Sequence, residues 1–187
     1  MHIFLIVAFI IFIFLLFLIS YILVFGFGIT VIYELVTKMP YAPVRDEDVK
    51  IIFNRLKSIK NLEGQRKTFV DLGSGDGRII FEAIRRGFDA IGYDLNFVLN
   101  IIAFWKAKFK GIKNAKFYRK DFFRLDLSNI DIVFVYLYPN VLAKLEDKFL
   151  KELKAGTLVV SVDYPLQKMK QIDFSKEGKY KLFIYEK

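Results

Sequence analysis

Val70-Asp71-Leu72-Gly73-Ser74-Gly75-Asp76-Gly77-Arg78, and after it Gly92-Tyr93-Asp94-Leu95-Asn96, is the sequence whose reading decides the fold. A short apolar run enters a loop with glycine at every second position. A helical pattern follows, and a second apolar run then ends in an acid. On a parallel sheet this order sets a flexible turn at a helix N-terminus and a carboxylate at the next strand end, which is how a nucleoside cofactor is held. Glycine at 73, 75 and 77 lets the backbone approach a ligand closely. The spacing is G-x-G-x-G, whereas dinucleotide sites use G-x-G-x-x-G. Asp76 inside the loop would repel a pyrophosphate. A zwitterionic amino-acid end is the better guest, since its carboxylate can meet free helix amides and its ammonium can meet Asp71. Asp94 is placed to accept from both ribose hydroxyls. Asp121 follows the third strand and can accept from an adenine amino group, with Phe122 beside the ring.

Outward from this stretch, strands alternate with helices. Thr68-Phe69-Val70 reads as a strand, Arg78 to Arg86 as a helix and Ala90 to Tyr93 as a strand. Phe97 to Lys110 reads as a helix, Lys116 to Tyr118 and Ile130 to Leu137 as strands, Val141 to Leu153 as a helix and Thr157 to Asp163 as a strand. Such alternation predicts a Rossmann-like, doubly wound α/β sheet, mainly parallel. Lys170 to Phe174 and Tyr180 to Tyr185, separated by Ser175 to Lys179, predict an antiparallel hairpin at the C-terminus. Asp46, Glu47 and Asp48 suit a helix start, and Val49, Ile52, Phe53 and Leu56 give that helix an apolar face.

The N-terminal region differs in kind. Met1 to Tyr33 carries no Asp, Glu, Lys or Arg, so the net charge of +9 belongs to residues 34–187. Ile3 to Phe25 is apolar apart from Ser20 and Tyr21, and about 20 such residues suffice to span a bilayer. The segment lacks a basic flank and a small-residue cleavage pattern, so an uncleaved transmembrane helix is expected rather than a signal peptide. Gly26 and Gly28 are expected to mark its exit, with Ile29 to Leu35 along the interface. Lys38 and Arg45 follow it, which places the C-terminal domain in the cytoplasm. The expected division is an anchor over residues 1–33, a juxtamembrane linker over 34–45 and a catalytic domain over 46–187. Met39 to Pro43 is read as linker, or as a lid at the mouth of the site.

Composition excludes several chemistries. There is no cysteine, and the one histidine is His2. Disulfides, thiolate metal sites, cysteine nucleophiles and Ser-His-Asp triads are therefore out, and no metal is expected. The positive charge suits anionic headgroups or nucleic acid equally well and does not choose between them.

Asp71-Leu72-Gly73-Ser74-Gly75-Asp76-Gly77, Tyr93-Asp94 and Asp121-Phe122 resemble the motifs of class I (seven-strand) methyltransferases that use S-adenosyl-L-methionine. A narrower resemblance is to the membrane-associated protein lysine methyltransferases of the ATP synthase c-subunit and adenine nucleotide translocase type. It rests on Pro40-Tyr41-Ala42-Pro43, Gly73 to Ile79, Gly92 to Asn96, and Asp121-Phe122 with Asp126-Leu127. The resemblance implies that Asp71, Gly73, Ser74, Gly75, Asp76, Gly77, Asp94, Leu95, Asp121 and Phe122 hold the cofactor. It also implies a lysine of a membrane protein, near the cytoplasmic face, as acceptor. Tyr136-Leu137-Tyr138-Pro139 departs from the family's pattern on the acceptor side. Tyr136, Tyr138 and Asp163 fall at the ends of the fourth and fifth strands and are the expected catalytic residues. Asp163 is read as orienting an amine and Tyr138 as walling the pocket. Three other readings are open: a lipophilic small-molecule methyltransferase, an RNA methyltransferase (disfavoured by the anchor), and a non-catalytic binding protein.

Overall fold

A computed structural model describes residues 2–37, 43–59 and 66–187. The chain divides into two units, Met1–Tyr41 and Ala42–Lys187. The first contains one helix, α1, His2–Thr37. Its segment Phe4–Ile29 is long and apolar enough, by length and composition, to cross a membrane, and none of it is buried. The helix runs unbroken through Gly26 and Gly28, which corrects the expected exit there. A glycine costs a helix only about 1 kcal/mol, and the apolar residues flanking both glycines continue the pattern. The expected linker or lid from Met39 to Pro43 lies, apart from Pro43, outside the described residues.

In the second unit α2 (Asp46–Ile59) precedes β1 (Thr68–Leu72), α3 (Arg78–Arg85), β2 (Asp89–Tyr93), α4 (Phe97–Phe109) and β3 (Lys116–Tyr118). A 3-10 turn, Phe122–Arg124, leads to β4 (Ile132–Val135), α5 (Pro139–Glu152), β5 (Leu158–Val162), β6 (Lys170–Glu177) and β7 (Tyr180–Glu186). The seven strands are ordered β3-β2-β1-β4-β5-β7-β6. β1 to β5 pair in parallel, and β7 runs antiparallel to both β5 and β6. From β1 the chain builds outward to β2 and β3, then returns to add β4 and β5 on the other side. The carboxyl ends of β1 and β4 therefore flank the point where the order reverses, which is where ligands enter such sheets.

β4 and β5 are buried along their whole length, as a strand covered on both faces must be. One face packs Phe69, Phe134 and Val160 against Ile52, Phe53 and Leu56 of α2 and Ile79, Ile80 and Ala83 of α3. The other packs Val70, Leu72, Val133 and Val159 against Leu142, Leu145 and Phe149 of α5. The α2 face expected from the three-and-four spacing is buried in full. α5 begins at Pro139, earlier than its apolar periodicity suggested, because proline at the first helical position forfeits no hydrogen bond and has the right φ. The hairpin is longer than expected, and Ser175 to Glu177 belong to β6. Only Gly178 and Lys179 make the turn, with Gly178 at φ 62°, the conformation a two-residue hairpin needs at its first position.

Candidate active site

Three glycines, at 73, 75 and 77, take positive φ between β1 and α3. Gly77, at φ 84°, is closely enclosed. A Cβ there would lie 2.6 Å from Phe117 Cζ and 3.0 Å from Phe81 Cζ, rings that meet edge to face at 5.9 Å. Gly77→Ala therefore meets both backbone strain and a clash. It is expected to cost about 1–3 kcal/mol, read as a lowered midpoint in thermal unfolding monitored by circular dichroism. Gly92 on β2 has another role. A Cβ there would lie 2.6 Å from Ser74 Oγ, so its missing side chain is what lets the loop settle against the sheet.

Asp94 binds that loop to the start of α4. One carboxylate oxygen accepts from the Gly75 amide at 2.9 Å and the other from the Asn96 amide at 2.7 Å. Asn96 caps α4 by accepting from the amides of Val98 and Leu99. Asn100 secures the same turn, donating to the carbonyls of Asp94 and Asn96. Burial raises the Asp94 carboxyl above its usual range, only partly offset by the two amides.

Asp71 is buried at the end of β1, and among the described residues no cation pairs with it. Burial first, then the charges of Asp94 and Asp76, push its carboxyl well above the usual range. Asp76 has the opposite balance. Burial would raise it, but Arg78 grips both its oxygens at 2.9 and 2.8 Å, and Lys106 reaches it at 2.5 Å. These partners hold it well below the normal carboxylate range. Arg78 also donates to the Val44 carbonyl at 2.6 Å, which ties the segment entering α2 to the glycine loop.

Asp121 caps the 3-10 turn through the Phe123 amide. Phe122 is buried in the α5-side core, while Phe123 next to it is more than a third exposed. Leu95 is partly exposed, its carbonyl accepting from Arg119.

Across the crevice lies a group of tyrosines. Tyr136 meets Tyr180 edge to face at 5.9 Å, and Tyr138 lies 6.2 Å from Tyr164. Leu137, between the first members of these pairs, borders the glycine loop: a Cβ on Gly73 would come 3.0 Å from Leu137 Cδ2. Asp163 is the one described non-glycine residue with positive φ, 65°. Its amide donates to the Lys181 carbonyl at 2.7 Å, and its carboxylate accepts from the Lys181 amide at 3.0 Å. Burial first, and then the Asp163 carboxylate beside it, push the Tyr136 phenol far above its usual range. Strand ends thus bring Asp71, Asp94, Tyr136, Tyr138 and Asp163 to one edge of the sheet.

Lys106, Asn100 and Arg78 were not among the expected site residues. Asn100 lies one helical turn after Asn96, a legible capping signal. Lys106 acts thirty positions from Asp76, and nothing local announces it.

With the glycine loop, the Asp94 clasp and the seven-strand order in place, comparison with known proteins becomes specific. The sequence profile of the ANTKMT methyltransferase domain matches residues 71–173, from Asp71 at the end of β1 into β6. The chain belongs to this family. Its curated relatives include the human lysine N-methyltransferase of the ATP synthase c-subunit, 29% identical over 149 residues, covering 79% of this chain and 61% of that one. The mouse adenine nucleotide translocase lysine N-methyltransferase is 33% identical over 153 residues, covering 80% and 63%. A protein-lysine N-methyltransferase of Saccharolobus islandicus (strain REY15A) is 32% identical over 136 residues, covering 71% and 81%. The chain thus spans about three-fifths of the two animal relatives. Among solved structures, an RNA methyltransferase from Salinibacter ruber in complex with S-adenosyl-L-homocysteine superposes with TM-score 0.69 at 27% identity. That match covers 78% of this chain and 93% of that one.

Proposed function

We propose that this chain is a membrane-anchored protein-lysine methyltransferase that uses S-adenosyl-L-methionine. The observation that carries the reading is a glycine cradle beside a buried Asp71, with which no cation pairs among the described residues, and the loop-clasping Asp94, in a family whose named relatives methylate protein lysines.

The residues fit the cofactor. Among the described residues the buried Asp71 carboxylate has no cation, and an ammonium would complete it. Each Asp94 oxygen accepts a single amide, so lone pairs remain for ribose hydroxyls. Gly73 to Gly77 supply backbone without side-chain bulk. Asp76 is already neutralised by Arg78 and Lys106, so it serves the loop's shape and leaves Asp71 to receive positive charge. Asp121 and Leu95 would border the base. When bound, the cofactor supplies an activated methyl on a sulfonium.

What remains for the protein is to position an acceptor, which can contribute several kcal/mol. A lysine amine has a reference pKa near 10.4, so about one in two thousand is neutral at pH 7. The tyrosine walls shield the amine from water and favour its neutral form, and their ring faces tolerate successive methylammonium products. Asp163 orients the amine. Its φ tolerates asparagine well, so Asp163→Asn keeps the turn and removes the charge. That variant is expected to lose roughly 10- to 100-fold in kcat with cofactor affinity unchanged, measured by initial rates and calorimetry. The wild-type rate is expected to rise with pH as the target lysine loses its proton.

The anchor is α1, an apolar helix of spanning length, and it would concentrate the enzyme near membrane-embedded targets. The functional test uses purified full-length protein, methyl-labelled S-adenosyl-L-methionine and membranes from cells lacking the gene. Label is then separated into protein, lipid and RNA. Label in one protein band is expected. Label confined to lipid or RNA would overturn the acceptor class.

A further inference from the structure

The outer face of α4 is apolar, although nothing among the described residues of the domain covers it. Leu99, Ala103 and Ala107 form the buried side of the helix. At 100° per residue, Phe97, Ile101, Phe104, Trp105 and Phe109 fall on the opposite side, and they are between 41% and 83% exposed. Phe104 meets Trp105 at 5.9 Å, and Trp105 meets Phe109 at the same distance, so the rings form one continuous surface. A solvent-facing helix side normally carries charge there. Its only charged member is Lys108, whose ammonium lies 4.8 Å above the Trp105 ring. The charge carried by this stretch of chain has one sign. From Leu95 to Lys120 the sequence holds seven lysines and arginines and no acid, a net +7 within a chain of net +9. One of the seven, Lys106, is taken up by Asp76; Arg119 lies 5.9 Å from the Phe97 ring at the other end of the face.

Aromatic side chains flanked by cations, on a stretch of sequence that carries no acid from Leu95 to Lys120, match the boundary of a bilayer. Rings enter the acyl edge there, while ammonium groups meet anionic headgroups. The same chain carries an apolar helix of spanning length, and only residues 38–45 join it to α2. We propose that the α4 face is a second membrane contact, seated in the headgroup region of an anionic bilayer. It holds the opening of the cofactor crevice, at the carboxyl ends of β1 and β4, at a fixed height over the membrane surface. This rests on the anchor reading above.

Trp105 is the only tryptophan in the chain, so emission excited selectively from tryptophan reports this face alone. Full-length protein is reconstituted into phosphatidylcholine–phosphatidylglycerol vesicles with brominated acyl chains, and the floated fraction is measured. The ring would sit about 5–10 Å into the headgroup and acyl boundary. A blue shift, a loss of emission to bromine and protection from aqueous iodide are expected. Bromine quenching is expected to weaken in phosphatidylcholine alone and to be lost in Phe104→Glu/Phe109→Glu, with cofactor binding retained. Iodide quenching in vesicles without bromine quenching overturns the proposal. So does shielding from both quenchers with cross-links between protein chains, which means that protein covers the face. Failure of the wild type to float overturns the anchor together with this contact, whereas flotation without bromine quenching overturns this contact alone.

Discussion

Asp94→Ala is expected to weaken S-adenosyl-L-methionine binding by on the order of 100-fold and to leave no measurable transfer. The carboxylate has two roles. It clasps the glycine loop to the start of α4 through the amides of Gly75 and Asn96, and it keeps lone pairs for the ribose. Hydrogen bonds to a charged group contribute about 1.5–3 kcal/mol each. Losing two toward the ligand is about 3 kcal/mol, or roughly a factor of 100 in Kd. The clasp itself also goes, so the Gly75 and Asn96 amides are left without their acceptor. Asp94→Asn separates the two roles, because it keeps an acceptor for one amide and removes the charge. It is expected to fall between wild type and Asp94→Ala in calorimetric titrations.

Asp71→Asn is expected to move stability and binding in opposite directions. Burial and two neighbouring acids raise the folded-state pKa of Asp71 well above its unfolded value. The folded protein therefore binds the extra proton. The stability Asp71 contributes is fully present below its unfolded pKa, near 3.9, and is lost as pH rises toward its folded value. At neutral pH the unliganded protein carries that cost. Removing the titratable group is expected to raise apo stability at pH 7 by about 1–3 kcal/mol and to have no such benefit near pH 3. The same change removes the carboxylate that would receive the ammonium, and cofactor affinity is expected to fall by roughly 10- to 100-fold. Thermal unfolding at two pH values, with and without cofactor, reads both effects. A variant neither more stable at pH 7 nor weaker in binding would contradict the assignment of Asp71.

The fold was legible because its signals are local. Strands buried on both faces must read as apolar runs, so the run from Ile130 to Leu137 stood out, and the strand occupies its middle, Ile132–Val135. The glycine loop and the acid at the end of β2 lie within one strand–helix–strand unit, where spacing alone carries meaning. Boundaries set by chain geometry were harder. Pro139 opens α5, and Gly178 compresses the hairpin turn to two residues; both act through fixed or permissive φ rather than through hydrophobic period. The least legible parts were tertiary. Lys106 and Arg78 share Asp76, and Arg78 also holds the Val44 carbonyl, contacts that depend on how α4 and the entry to α2 pack over the loop. The exposed side of α4 was hidden for a related reason. With apolar residues on both sides, its sequence does not say which side faces the core.

The most direct test is to map the methylated product by mass spectrometry. Protein labelled by the full-length enzyme is digested, and each added methyl is assigned to an atom, with Asp94→Ala run in parallel. Methyl groups on a lysine Nζ, absent from the Asp94→Ala reaction, are the expected result. Methyl groups on any other protein atom, or on lysine in equal amount with Asp94→Ala, would contradict the reading of this chain as a lysine methyltransferase.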